Sequence, residues 1–344
     1  MTVIMTGNGP RRIGEKGSDT CKSDFTQIPI IDFAPTLNDG ADIAEVAAAI
    51  REACVDVGFF YLVNHGVPKA VRGRAFAAAK RFFDLPSAVK AEIHIRQSEH
   101  VRGYTPMLEE NFDTVNGRGD LKESFDMALE VPLDHPILES RQTLYGPNVW
   151  PAGDESFRGD ILTYYDALLD LSRRLLRAFA LALDLPRDHF APIVRMPLAS
   201  MRLLHYPPQP TSATEGQIGA GAHSDYECFT ILAQDDVGGL QVLNKAGDWI
   251  AAPPIPDSFV INIADMMARW TNDRFVSTLH RVVNSSGSER YSIPFFFGPS
   301  YDTVVAPLPS CVSATKPAAY PPVMAGQYLE GRFAATYDHL KHSR

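Results

Sequence analysis

Three residues of this chain have the types and spacing to hold one metal ion: His223 and Asp225, either side of Ser224, and His280 farther along. Two imidazoles and one carboxylate leave the other coordination positions open, a ligand set that suits a redox-active non-haem Fe(II). His-x-Asp fits a strand, where residues i and i+2 face the same way. His280 must then arrive from a neighbouring strand. Beyond it stands Arg290-Tyr291-Ser292. Its Arg-x-Ser pair has the same period of two and offers a guanidinium fork and a hydroxyl to a carboxylate. A redox metal beside a carboxylate anchor is the layout of an oxygenase that consumes a keto-acid co-substrate. A catalytic zinc can also take two histidines and a carboxylate, but the Arg-x-Ser pair weighs against it.

Positioning such a site takes strands, and the second half of the chain supplies them. From Ser200 onward short apolar runs alternate with Gly, Pro and Asn: Met201–Tyr206, Phe229–Ala233, Leu240–Leu243, Trp249–Ala251, Phe259–Ile263, His280–Asn284 and Ile293–Phe297. That rhythm predicts a sandwich or barrel. Ahead of it, Ile28–Phe33 and Phe59–Val63 read as strands. Asp42–Val57, Lys69–Phe83 and Asp154–Leu183 read as helices from apolar steps of three and four, and Gln327–Leu340 as a closing helix. Residues 95–150 show little periodicity and read as a long functional loop. Residues 1–26 are polar and read as a flexible arm. The organisation expected is this arm, an N-terminal region over 27–150 with a lid segment, and 151–344 carrying the long helix, the catalytic core and the closing helix, the whole forming one integrated domain.

Composition narrows the function classes. The chain has 344 residues, 45% of them hydrophobic and 21% charged, with a formal charge of −9. That charge disfavours nucleic acid and anionic membrane as bulk partners, and no apolar run approaches a spanning helix. No obligatory protein partner is evident, and a small-molecule substrate is expected. Cys21, Cys54, Cys228 and Cys311 lack any C-x-x-C pairing, which favours reduced thiols and a cytoplasmic location.

Across residues 28 to 340 the ordered motifs resemble one family. They include Gly58-Phe59-Phe60-Tyr61-Leu62-Val63-Asn64-His65-Gly66, Arg102-Gly103-Tyr104, Asp120-Leu121-Lys122-Glu123-Ser124-Phe125, Leu204-His205-Tyr206-Pro207, His223-Ser224-Asp225, Trp270-Thr271-Asn272, Ser277-Thr278-Leu279-His280-Arg281-Val282 and Arg290-Tyr291-Ser292. The chain is similar to the isopenicillin N synthase-like branch of the Fe(II)/2-oxoglutarate-dependent dioxygenases. The resemblance implies a mainly β fold with flanking helices around a double-stranded β-helix, or jelly roll. It implies His223, Asp225 and His280 as iron ligands, with Arg290, Ser292 and Tyr206 on the distal carboxylate of 2-oxoglutarate. It further implies O2 as oxidant, ascorbate as a supporting reductant, and oxidation, by default hydroxylation, of a small molecule with release of succinate and CO2. Two departures stand out. Leu204 replaces the Asn that many relatives carry two residues before the tyrosine, and Asp273 replaces a Gly in a turn. The alternatives are a 2-oxoglutarate-independent oxidase of the isopenicillin N synthase type, in which Arg290 would serve the substrate, or a non-catalytic jelly-roll binding protein.

Strand parity extends the list towards a substrate. Glu227 shares the parity of His223 and Asp225, so it faces the cavity if the strand continues unbulged. Arg202 shares the parity of Leu204 and Tyr206 and would meet an anionic substrate group or pair with Glu227. Phe296, in phase with Arg290 and Ser292, would wall the pocket. Tyr104 and Phe112 lie in the irregular segment and are candidates for a lid. His205, out of phase with its neighbours, should face away from the cavity.

Overall fold

The computed structural model describes residues 2–14, 17–18, 21–38, 43–110, 119–140, 142–208 and 218–336. The first half of the chain runs through strands β1 (Thr2–Thr6), β2 (Gly9–Gly14), β3 (Gly17–Ser18) and β4 (Ile30–Asp32), helix α1 (Ala44–Asp56), β5 (Phe59–Val63), helices α2 (Lys69–Phe83) and α3 (Ser87–Ala91), β6 (Gly103–Thr105), β7 (Glu123–Ala128) and helix α4 (Glu155–Ala182). The second half adds β8 (Pro197–Tyr206), β9 (Ala220–His223), β10 (Phe229–Gln234), β11 (Leu240–Leu243), β12 (Trp249–Ala251), β13 (Phe259–Ile263), helix α5 (Asp265–Trp270), β14 (His280–Val282), β15 (Arg290–Ser300) and helix α6 (Ala325–Thr336).

Beside the small β1-β2-β3 sheet, these make two larger, unequal sheets. The larger has the order β4-β5-β13-β10-β15-β8-β7-β6, the smaller β12-β11-β14-β9. Only the β4–β5 pair within them is parallel. Alternate residues of the larger sheet serve two cores. Phe60, Leu62, Leu203, Phe259 and Ile261 pack with Ile50, Phe82 and Leu168 of α1, α2 and α4. Phe59, Tyr61, Leu204, Tyr206 and Val260 pack with Ala220, Leu240, Val242 and Val282 of the smaller sheet. Burial on both faces is why these strands read as nearly unbroken apolar runs. The result is the expected jelly roll, with helices outside one sheet and a cavity between the two.

α4 is the main buttress. Asp154 caps its start, accepting a hydrogen bond from the Phe157 amide at 3.0 Å. Its buried stripe through Ile161, Leu168 and Leu175 meets the core, and Asp184, in the left-handed region at φ 61°, turns the chain away. No helix among the described residues is long and apolar enough to cross a membrane.

Two expectations need correction. The polar arm over residues 1–26 is, in its described part, a β-hairpin, with Thr2 opposite Ile13 and Thr6 opposite Gly9, and its tip is hydrogen-bonded to Asp265. Backbone pairing orders it without an apolar signature. The segment 95–150 contains β6 and β7, which extend the larger sheet beyond β8. Glu123 and Asp126 on β7 obscured the pattern because they are buried against charged partners, Lys90 and Arg202. The turn at 270–273 is preceded by α5, too short to show a period. In that turn Asn272 and Asp273 do take left-handed conformations, φ 50° and 57°.

Candidate active site

The smaller sheet carries the metal-type donors. His223 ends β9 and His280 opens β14, and the two are register partners. Asp225 follows on the loop towards β10. One ligand atom from each of the three lies within 4.8 Å of the others, with the two Nε2 atoms 3.7 and 3.6 Å from Asp225 Oδ1. Each imidazole turns Nδ1 to a backbone carbonyl, His223 to Gly221 at 2.7 Å and His280 to Thr278 at 3.3 Å. A proton on Nδ1 leaves the Nε2 lone pair free for a metal. Asp225 is fixed in the same manner: Oδ2 accepts from Thr230 Oγ1 and, at 2.8 Å, from Asn262 Nδ2, while Oδ1 faces the histidines. Burial alone would push its carboxyl up; His280, His223 and these two donors outweigh burial and hold it below the ordinary value. Burial, reinforced by His280, lowers the His223 value, keeping the ring neutral. Neutral imidazoles and an ionised carboxylate are the protonation states a metal needs.

The larger sheet carries the Arg-x-Ser pair. Arg290 is fully buried and sits opposite Tyr206 across β15 and β8, its guanidinium 4.7 Å from the centre of the Tyr206 ring. It donates to Ser292 Oγ and to Gln234 Oε1, both at 3.2 Å. Its Nε is buried and has no partner, and among the described residues no carboxylate forms an ion pair with it. A buried, unneutralised guanidinium is costly unless an anion arrives. Donor set and orphaned guanidinium together fit a metal chelated by a keto acid with a second carboxylate.

A cavity of about 140 Å³ joins both ends, and its lining includes His223, Asp225, His280, Tyr206, Arg290, Ser292, Glu227 and Phe296. Its far wall carries Glu110, Lys122, Asp126 and Arg202. Arg202 donates to Asp126 at 2.7 Å and to Glu110 at 2.9 Å, and Lys122 pairs with Glu110 at 2.8 Å and with Asp120. Burial pushes up the Glu110 carboxyl, but Arg202 and Lys122 outweigh it and hold the group well below the usual range.

Two family models match this chain: the non-haem dioxygenase N-terminal region, described from morphine synthesis, over residues 28–153, and the 2OG-Fe(II) oxygenase superfamily over residues 197–299. The chain is 39% identical over 318 residues to hxnY of Emericella nidulans, a 2-oxoglutarate-Fe(II) type oxidoreductase, covering 91% of each. The chain belongs to the 2-oxoglutarate–Fe(II) oxygenase superfamily. Homoarginine-6-hydroxylase 2-ODD-C23 of Glycine max is 36% identical over 300 residues, covering 83% of this chain and 89% of its own. A full-length Neurospora crassa protein, solved in complex with alpha-KG and thymine, superposes with a TM-score of 0.81 at 31% identity, covering 93% of this chain and 100% of that one. The protein is therefore an Fe(II)/2-oxoglutarate-dependent dioxygenase acting on a small molecule, with O2 as co-substrate.

Against this oxygenase the substrate-side expectations divide. Glu227 does face the cavity, although the strand ends at His223 and the chain bends before reaching it. It is buried, and burial, then the nearby Asp225 charge, push its carboxyl up to about 8. Phe296 lines the cavity as parity predicts. Arg202 lines it too, but its ion-pair partners are Asp126 and Glu110 rather than Glu227. Tyr104 is not a lid residue: it is buried under α2, donating to Glu123 Oε2 at 2.6 Å. Phe112 falls outside the described residues. His205 does turn away from the cavity, stacked at 4.8 Å on Tyr291 and bonded to Glu123. Sequence reading missed Thr230, Asn262 and Gln234. The signal was there: Thr230 and Asn262 are polar residues inside apolar strands and are register partners, and Gln234 ends the strand that carries Thr230. Glu110, Lys122 and Asp126 gave no comparable signal.

Proposed function

We propose that His223 Nε2, Asp225 Oδ1 and His280 Nε2 hold the iron, and that Arg290, Ser292 and Tyr206 receive the distal carboxylate of 2-oxoglutarate. The enzyme then hydroxylates a compact molecule that offers an N–H or O–H donor to Glu227. The observation that carries this reading is the pairing of a three-donor cluster within 4.8 Å with a fully buried arginine whose Nε lacks a partner. When bound, Fe(II) would let O2 oxidise 2-oxoglutarate to succinate and CO2 and the substrate to its hydroxylated product, one oxygen atom entering each. The protein contributes position and dryness. Backbone carbonyls fix both histidine tautomers, Thr230 and Asn262 aim one oxygen of Asp225 at the metal, and Gln234 and Ser292 hold Arg290 flat against Tyr206. With Leu204 in place of an amide, Gln234 is the side-chain amide that orients the guanidinium.

On the substrate side the ion-paired Arg202 makes a stiff wall, Phe296 supplies an apolar face, and Glu227 is the polar group left to address the ligand. A cytoplasmic setting, supported by four buried free thiols, and membership of the isopenicillin N synthase-like branch, supported by the ordered motifs, belong to the same proposal.

An anaerobic titration of the Fe(II)-loaded protein with 2-oxoglutarate tests it, following the weak visible charge-transfer band of a chelated keto acid. The band should form in the wild type and need far more 2-oxoglutarate in Arg290→Ala. An Arg290→Ala titration matching the wild type would move the carboxylate anchor elsewhere.

A further inference from the structure

The tip of the N-terminal hairpin reaches the back of the metal site. The Gly7 amide donates to Asp265 Oδ2 at 2.7 Å, and Asn8 Nδ2 donates to the Asp265 carbonyl at 2.8 Å. Asp265, only 1% exposed, accepts two more hydrogen bonds: Ser224 Oγ at 3.1 Å on Oδ2 and Ser277 Oγ at 2.7 Å on Oδ1. Ser224 stands between His223 and Asp225, and Ser277 shortly precedes His280. The Asp265 amide in turn donates to the Asp225 carbonyl at 2.9 Å. One buried carboxylate thus ties the two segments that bring the metal donors together, and the hairpin tip supplies its third donor.

The fit leaves no room for a side chain. A Cβ on Gly7 would stand 1.8 Å from Tyr328 Oη and 2.7 Å from Asp265 Oδ2. Tyr328 belongs to α6, whose Leu329 and Phe333 wall the cavity. Losing the Gly7 donor leaves a buried carboxylate under-satisfied, which loosens whatever it orients. The matched family regions begin at residue 28, after the hairpin.

We propose that the N-terminal hairpin is a positioning element of the iron site: through Gly7 and Asn8 it completes the hydrogen-bond set of Asp265, which holds the His223–Asp225 and His280 segments at metal-binding spacing. This rests on the reading of His223, Asp225 and His280 as the iron ligands. Partners behind the ligands of a metal site typically change its affinity by about 10–100-fold, and the lower end is expected here.

The test is a Co(II) titration of full-length, metal-free protein followed by ligand-field absorption, beside amide hydrogen exchange and melting of the metal-free form. His223→Ala comes first; undiminished Co(II) binding there sinks the ligand assignment itself. Given that control, Gly7→Ala and Asn8→Ala should each weaken Co(II) binding about tenfold. Exchange at residues 2–14 and 223–226 should rise while the melting temperature of the metal-free form stays put. Met5→Ser, at an exposed hairpin position, should change none of these. Fast-exchanging hairpin amides with unchanged Co(II) affinity would overturn the proposal. So would a melting temperature that falls in step with affinity, which marks a merely structural role, or a Gly7→Ala hairpin that stays docked.

Discussion

The two ends of the cavity are built by different means. At the end proposed for the metal and co-substrate, the arrangement hangs on strand register: His223 faces His280 in one sheet and Arg290 faces Tyr206 in the other. Its arginine has no counter-ion among the described residues. At the substrate end, Lys122, Glu110, Arg202 and Asp126 form a buried chain of ion pairs contributed by β7, β8 and the segment between β6 and β7. One end keeps a charge waiting for a ligand. The other neutralises its charges internally and presents a rigid surface. The difference teaches where binding energy for an anion is stored and where shape alone is enforced.

Substitutions at each end should behave accordingly. The largest effect is expected from His223→Ala or His280→Ala: loss of stoichiometric iron binding and of turnover, read by metal analysis and succinate formation. Next comes Glu110→Gln. Removing one partner of a buried ion pair costs about 3–5 kcal/mol, so the melting temperature should fall steeply near neutral pH. The folded Glu110 carboxyl lies well below its unfolded value, so its stabilisation is fully present above the ordinary carboxylate range and is lost progressively as pH falls from that range to the lower folded value. The gap between wild type and Glu110→Gln should therefore begin to narrow below about pH 4 and keep narrowing as pH falls further; a pH-independent gap breaks the contrast. Arg290→Ala should raise the KM for 2-oxoglutarate by about 30- to 1000-fold, the equivalent of about 2–4 kcal/mol for a buried charged contact, with little change in melting. Glu227→Gln is the mildest and the sharpest. It should shift the KM for substrate by about tenfold, the worth of one hydrogen bond to an uncharged carboxyl, and leave the 2-oxoglutarate KM alone.

The same contrast explains what the sequence disclosed. Arg290 and Ser292 on β15 and Tyr206 on β8 follow the period of two that the residue order showed, whereas Asp225 lies on the loop after β9 and comes beside His223 and His280 without strand alternation. Phe59–Val63 and Phe259–Ile263 form strands with the bounds read from their apolar runs, because both faces of the larger sheet are buried, and Leu240–Leu243 does the same in the smaller sheet. β7 stayed hidden because its Glu123 and Asp126 look like surface residues until their partners are known. Those partners come from α3 and β8, distant in the chain. The N-terminal hairpin was illegible for a related reason: its order comes from backbone pairing and from Asp265, neither of which leaves a hydrophobic trace.

The ion-paired wall also decides which descendants of this sequence are one viable step away. Exchanging Arg202 alone takes the ion-pair partner from Asp126, and exchanging Glu110 alone removes the carboxylate that Arg202 and Lys122 share. Change there must come as a coordinated set, through intermediates that fold poorly. Glu227 forms no ion pair among the described residues, and Phe296 is partly exposed to the cavity. New substrate preferences in this lineage should therefore be reached first at positions 227 and 296, with the charged wall inherited unaltered.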